Sequence, residues 1–122
     1  RGGGNDSLEI GGDVSNSVTV GVLDSSLLDR GDLIVTFKIT KQLDEDLFIT
    51  WATNDDSALA GTNYASSDGV AIISTGQTEV QIRIPALGSG PTDLAFLVKI
   101  LSVSAGELAD ETGVVVIAAN SL

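Results

Sequence analysis

Carboxylates are the one chemically capable side chain that this sequence carries in number. The 122-residue chain has 17 Asp and Glu against 6 Lys and Arg, with no His and no Cys. Without imidazole or thiol it lacks the usual general base at neutral pH, the Ser-His and Cys-His nucleophile pairs, and imidazole or thiolate metal ligands. What remains are neighbouring acids: Asp44, Glu45 and Asp46 in "LDEDL", and Asp55 with Asp56 in "TNDDS". Paired-carboxylate catalysis needs an apolar pocket that raises one pKa above the other. Both runs sit in polar, loop-like composition, so no enzymatic activity is expected. Carboxylates also bind calcium, and the opening run Gly2, Gly3, Gly4, Asn5, Asp6, Ser7, Leu8 fits the G-x-G-N-D-x-L part of the nonapeptide that winds calcium-binding β-rolls. A roll completes each ion site only between stacked copies, and no second copy follows here, so the run reads as a glycine-rich lead.

The charge balance narrows the partners. A net charge of −11 repels nucleic-acid phosphates and anionic lipid headgroups, so neither nucleic-acid binding nor membrane insertion is expected. No apolar run approaches membrane-spanning length. The chain contains no methionine, initiator included, which predicts a processed or excised piece; a secreted or cell-surface location is the accompanying expectation. By length this is one domain, large enough to hold a core without disulfide or metal, so no cofactor is required.

These acids must be positioned by strands. From Ser17 onward the dominant period is two: "SVTVGVL", "DLIVTFKIT", "LFITWAT", "GVAIIS", "EVQIRIP", "AFLVKILSV" and "GVVVIAA", separated by turn-rich clusters such as Gly31 with Asp32, Asp68 with Gly69, Gly76, and Gly88, Ser89, Gly90 and Pro91. No stretch sustains a helical period. Seven short strands predict an all-β, antiparallel immunoglobulin-like sandwich over residues 18–122, preceded by a glycine-rich N-terminal arm or linker over residues 1–17. Phe37, Trp51, Ile82, Phe96, Val98 and Val115 are expected between the sheets, and "LDEDL" reads as a solvated hairpin loop whose charges discourage edge association.

From Val18 to about Asn120 the chain resembles the Calx-beta domain, the sandwich module of sodium-calcium exchangers and of many bacterial surface proteins. The stretch "WATNDDSALAGTNYASSDG" looks like the family's T-x-D-G-T-A-x-A-G-x-D-Y run, with Thr53, Asp55, Ala58, Ala60, Gly61, Tyr64 and Gly69 in place. "STGQTEVQIRIP", "DLAFLVKILSVSAGELAD" and "GVVVIAAN" resemble the segments that follow. The resemblance implies a calcium site at one end of the sandwich, and this sequence departs from it. Asp29 stands at the first ligand position, Asn63 replaces the corner Asp, Gly88, Ser89 and Gly90 replace an Asp cluster, Asp93 is the one acid leading into Phe96, and the closing acids are missing. Calcium takes six to eight oxygens, so a site built on Asp29, Asn63 and Asp93 would be weak.

The expected function is therefore an extracellular structural or adhesive module, with a calcium-binding regulatory module, or one repeat of a large bacterial adhesin, as the alternative. The arm adds one expectation. Leu8 and Ile10 alternate around Glu9 between glycine flanks, which suits strand addition of Ser7, Leu8, Glu9 and Ile10 to a neighbouring subunit's sheet edge. Repeated head to tail, such pairing makes a filament or other homo-oligomer; otherwise the neighbours are further repeats of a longer chain.

Overall fold

The computed structural model describes residues 18–122; the arm at residues 1–17, with Ser7, Leu8, Glu9 and Ile10, lies outside the described residues. Among the described residues nine strands follow one another: β1 (Thr19–Val22), β2 (Leu28–Asp29), β3 (Asp32–Ile39), β4 (Leu47–Asp55), β5 (Asp68–Ile73), β6 (Glu79–Pro85), β7 (Leu94–Val103), β8 (Glu107–Asp110) and β9 (Thr112–Ile117). They form two sheets. The first has the order β9-β7-β4-β5; in the second β3 pairs with β6 along one side and with β1 and β2 along the other, and β8 lies outside β1.

Period-two burial builds the core. Leu33, Val35, Phe37 and Ile39 of β3 face Leu47, Ile49 and Trp51 of β4 and Phe96, Val98 and Ile100 of β7, closed by Val20, Val22, Tyr64, Ile84, Val115 and Ile117. Alternate residues project to opposite faces of a strand, so each of these runs can bury one face and solvate the other. The Phe37 and Trp51 rings meet at 6.3 Å across the sheets. Ile82, expected in the core, is only partly buried because β6 is an edge strand; Ile84 takes the enclosed place.

Three further expectations change. Asp68 and Gly69 begin β5 instead of making a turn. Gly69 pairs with Trp51, and a Cβ there would make only ordinary contact with the indole at 3.8 Å; the indole N–H is buried without a partner among the described residues. "LDEDL" is no hairpin loop, because β3 and β4 belong to different sheets and residues 40–46 carry the chain across. The sandwich is not wholly antiparallel either: β1 pairs in parallel with β8. β8 also lies outside the seven expected strands, the last of which starts at Gly113: residues 107–110 join the second sheet as β8 and, past Glu111, the chain joins the first as β9. The two-residue β2 was absent from the seven expected strands; it is a hairpin with β3 through Arg30 (φ 55°) and Gly31 (φ 86°), the two positive φ values of a tight type I′ turn.

One lateral side is stitched shut. After β1 the chain swings to β9, where Ser25 N–H donates to Val114 O at 2.9 Å, Val116 N–H donates to Ser25 O at 2.8 Å and Asp24 Oδ1 accepts Val114 N–H at 2.9 Å. Gly113 permits this approach, since a Cβ there would fall 2.9 Å from Val22 Cγ2 and 3.0 Å from Leu23 O. Gly113→Ala is expected to lower stability by about 1–3 kcal/mol through overpacking, read as a lower midpoint in urea unfolding. An unchanged midpoint would show that the crossing is loosely packed.

Candidate functional site

Three connections and the last residues of the chain meet at one end of the sandwich: the β2–β3 turn, residues 56–67, residues 86–93 and residues 118–122. Backbone bonds knit them together. Ala86 N–H donates to Gly31 O at 2.9 Å, Leu87 N–H to Asn63 O at 2.8 Å, Ala65 N–H to Pro85 O at 2.9 Å and Asn120 N–H to Gly90 O at 2.9 Å.

Tyr64 is the pin of this end. Its side chain is 1% exposed and its ring stacks on Phe96 with centroids 3.8 Å apart and planes 11° from parallel. The phenol donates to Asp55 Oδ1 at 2.5 Å, and the same oxygen accepts Ala60 N–H at 2.9 Å. Gly61, at φ 84°, turns the chain so that its N–H reaches Tyr64 O at 2.8 Å; only glycine adopts that φ without steric cost. Burial, then the hydrogen bond and charge of Asp55, pushes the Tyr64 pKa up to about 12.

Each residue at the expected calcium positions is held by a partner within the chain. The Asp29 carboxylate takes Arg83 Nη2 at 2.8 Å; Arg83 Nη1 lies 3.5 Å from Asp32 and 3.4 Å from the Asp29 carbonyl. Asn63 is 8% exposed, accepts Leu59 N–H at 3.0 Å and donates to Gly88 O at 3.1 Å. Asp93 Oδ1 accepts Ala119 N–H at 2.8 Å. The three positions share this end of the fold, yet each is directed to a different internal partner. Among the described residues no group of three or more acidic side chains could hold a metal ion. This donor set does not fit calcium: a guanidinium already neutralises Asp29, and an amide that bridges two backbone segments replaces the corner carboxylate.

The two acidic runs singled out in the sequence are otherwise bonded or exposed. Asp46 Oδ1 accepts both Thr75 N–H at 2.9 Å and Thr75 Oγ1–H at 3.0 Å, while Asp44, Glu45 and Asp56 are exposed. A shallow depression of about 520 Å³ at the opposite end, lined by Thr19, Gly21, Lys38, Thr40 and Thr78, contains one titratable group. Sequence reasoning missed Arg83 as the partner of Asp29, because residues 54 positions apart are joined only by the β3–β6 pairing. The Asp55–Tyr64 bond had a signal, since both residues belong to the run that carried the family resemblance.

No protein-family model matches the chain, and no curated protein matches it by sequence. Solved structures do. The apo-form Calx CBD1 domain is 19% identical over 86% of this chain and 99% of that one, with a TM-score of 0.73. The Calx CBD2 domain is 13% identical over 84% and 87%, with a TM-score of 0.70. CBD12 from CALX1.2 is 19% identical over 84% of this chain and 45% of that longer chain, with a TM-score of 0.73. The sandwich thus has a Calx-beta-like fold, as its sequence run implied.

A raised phenol pKa means that the neutral form is favoured by the fold. Its contribution to stability is complete below about pH 10, the unfolded value, and is lost as pH rises toward about 12. Stability is therefore expected to fall by roughly 2–3 kcal/mol across that window. Tyr64→Phe should remove this dependence. As the single tyrosine, Tyr64 can be followed directly by tyrosinate absorbance; ionisation near pH 10 in the folded chain would contradict its burial.

Proposed function

We propose that this chain is a non-catalytic structural module of an extracellular or cell-surface protein, adhesive or filament-forming, and joined to further copies through strand addition by residues 7–10. The observation that supports it is the internal commitment of the loop end: Asp29 to Arg83, Asp93 to Ala119, and Asn63 to Leu59 and Gly88. An end tied by the chain's own groups is stiff without an ion, which suits a load-bearing or spacing role better than a switch driven by calcium. The fold by itself carries no function, and the surplus of acid keeps such a module soluble. No helix among the described residues is long and apolar enough to cross a membrane.

The competing reading is a calcium-dependent regulatory module; the similar CBD12 of CALX1.1 is a calcium binding domain. Thermal unfolding with millimolar calcium against chelator separates the two. A site of millimolar affinity adds no more than about 0.5 kcal/mol at equal calcium concentration, a shift within error. A calorimetric titration with micromolar affinity, abolished by Asp29→Ala with Asp93→Ala, would overturn the structural reading of this end. Assembly is tested separately. The intact chain is expected to form oligomers or fibres under negative-stain imaging, whereas deletion of residues 1–12 should leave a folded monomer.

A further inference from the structure

Sheet edges offer unpaired backbone groups, and folded proteins cover or charge them. Three of the strand edges here are managed. The outer side of β9 is bonded by Asp24 and Ser25. Along β6 the register with β3, extended by the bond from Ile39 N–H to Thr78 O, turns the free backbone groups of Glu79, Gln81 and Arg83 outward, so that edge is charged; it ends at Pro85, whose carbonyl is taken by Ala65 N–H. The short β8 carries Glu107 and Asp110.

Among the described residues the edge of β5 has none of these guards. Thr53 N–H donates to Ser67 O, and the register pairs Thr50 with Val70 and Phe48 with Ile72. Bonded and non-bonded pairs alternate in an antiparallel ladder, so the N–H and C=O of Val70 and Ile72 point away from β4. Their side chains lie on the solvent face, 55% and 45% exposed, next to exposed Phe48. Between Gly69 and Ile73 the strand has neither charge nor proline.

We propose that this edge of β5 receives residues 7–10 of a second copy of the chain, Leu8 and Ile10 pairing beside Val70 and Ile72 as an added strand of the first sheet. The inference rests on the assembly reading above and names its acceptor. Two features favour this occupant. Both segments place two apolar residues two positions apart, so one register aligns the free backbone groups and enlarges the apolar strip that Phe48 begins. Pairing two β5 strands directly would press bodies of net charge −11 edge to edge, whereas a tethered strand contributes only Asp6 and Glu9 nearby and holds the bodies apart. The chain's own arm would have to cross from the β1 side, and residues 11–17 hold a single apolar side chain, Val14, to support that path.

The absence of cysteine makes the test clean. Leu8→Cys and Ile72→Cys are placed on separate chains, mixed and oxidised. A disulfide joining the two kinds of chain in excess over like pairs is expected. Val70→Pro removes an outward N–H without touching the β4 ladder and should raise the concentration needed for assembly by about tenfold or more, with an unchanged circular dichroism spectrum. Ile72→Lys serves the same purpose should the proline variant misfold. Arm-dependent assembly that ignores both β5 variants and forms no 8–72 disulfide overturns this acceptor while leaving the assembly reading intact. With both cysteines placed on one chain, an 8–72 disulfide formed within a monomer overturns it in favour of self-capping. Assembly that needs β5 but survives removal of residues 1–12 overturns it in favour of β5 pairing with β5. An intact chain that stays monomeric overturns both readings.

Discussion

The loop end of this sandwich depends on one enclosed phenol. Tyr64 stacks against Phe96 of β7 and donates to Asp55 at the end of β4, so a residue from the longest connection among the described residues is fastened to two central strands of the first sheet. Stacked aromatic rings add to the burial of their area, and a hydrogen bond to a carboxylate is stronger than one between neutral groups. With Tyr64 held, Asn63 is placed to bridge Leu59 and Gly88, and Ala65 to meet Pro85. The connection between β6 and β7 then lies against a fixed surface.

That arrangement separates fold from chemistry. The described residues superpose well on Calx domains, yet the side chains at this end form bonds that close it. Arg83 places a cation between Asp29 and Asp32, and hydrogen-bonded amides and backbone N–H groups occupy the other positions. The shared architecture thus leaves the chemistry of this end to a few side chains at its loops.

Edge control is the second organising constraint. A sandwich with two sheets has outer strands whose backbone groups need water or partners, and this chain treats them unequally. One side is sewn by residues 24 and 25; β6 is charged and capped by proline; β5 alone among the edges described presents apolar side chains and free backbone groups together. In the assembly proposed above, this inequality is what sets the direction of association, and the surplus of negative charge elsewhere disfavours less specific contacts.

Much of this was legible in the chain itself. The alternation of Leu33, Val35, Phe37 and Ile39 determined a half-buried strand because side-chain period and strand period coincide, and the run containing Asp55, Gly61 and Tyr64 marked the corner. The missing histidine and cysteine removed whole classes of chemistry outright. Local sequence could not assign strands to sheets, so it turned the sheet-crossing residues 40–46 into a hairpin, placed Asp68 and Gly69 in a turn and overlooked the parallel β1–β8 pair. Nor could it find the partner of Asp29, because Arg83 approaches only through the β3–β6 register. The sequence determined which residues face inward, since that follows from spacing; the tertiary structure decided which carboxylates are spent on internal bonds and which edge stays open, since those depend on contacts between segments far apart in the chain.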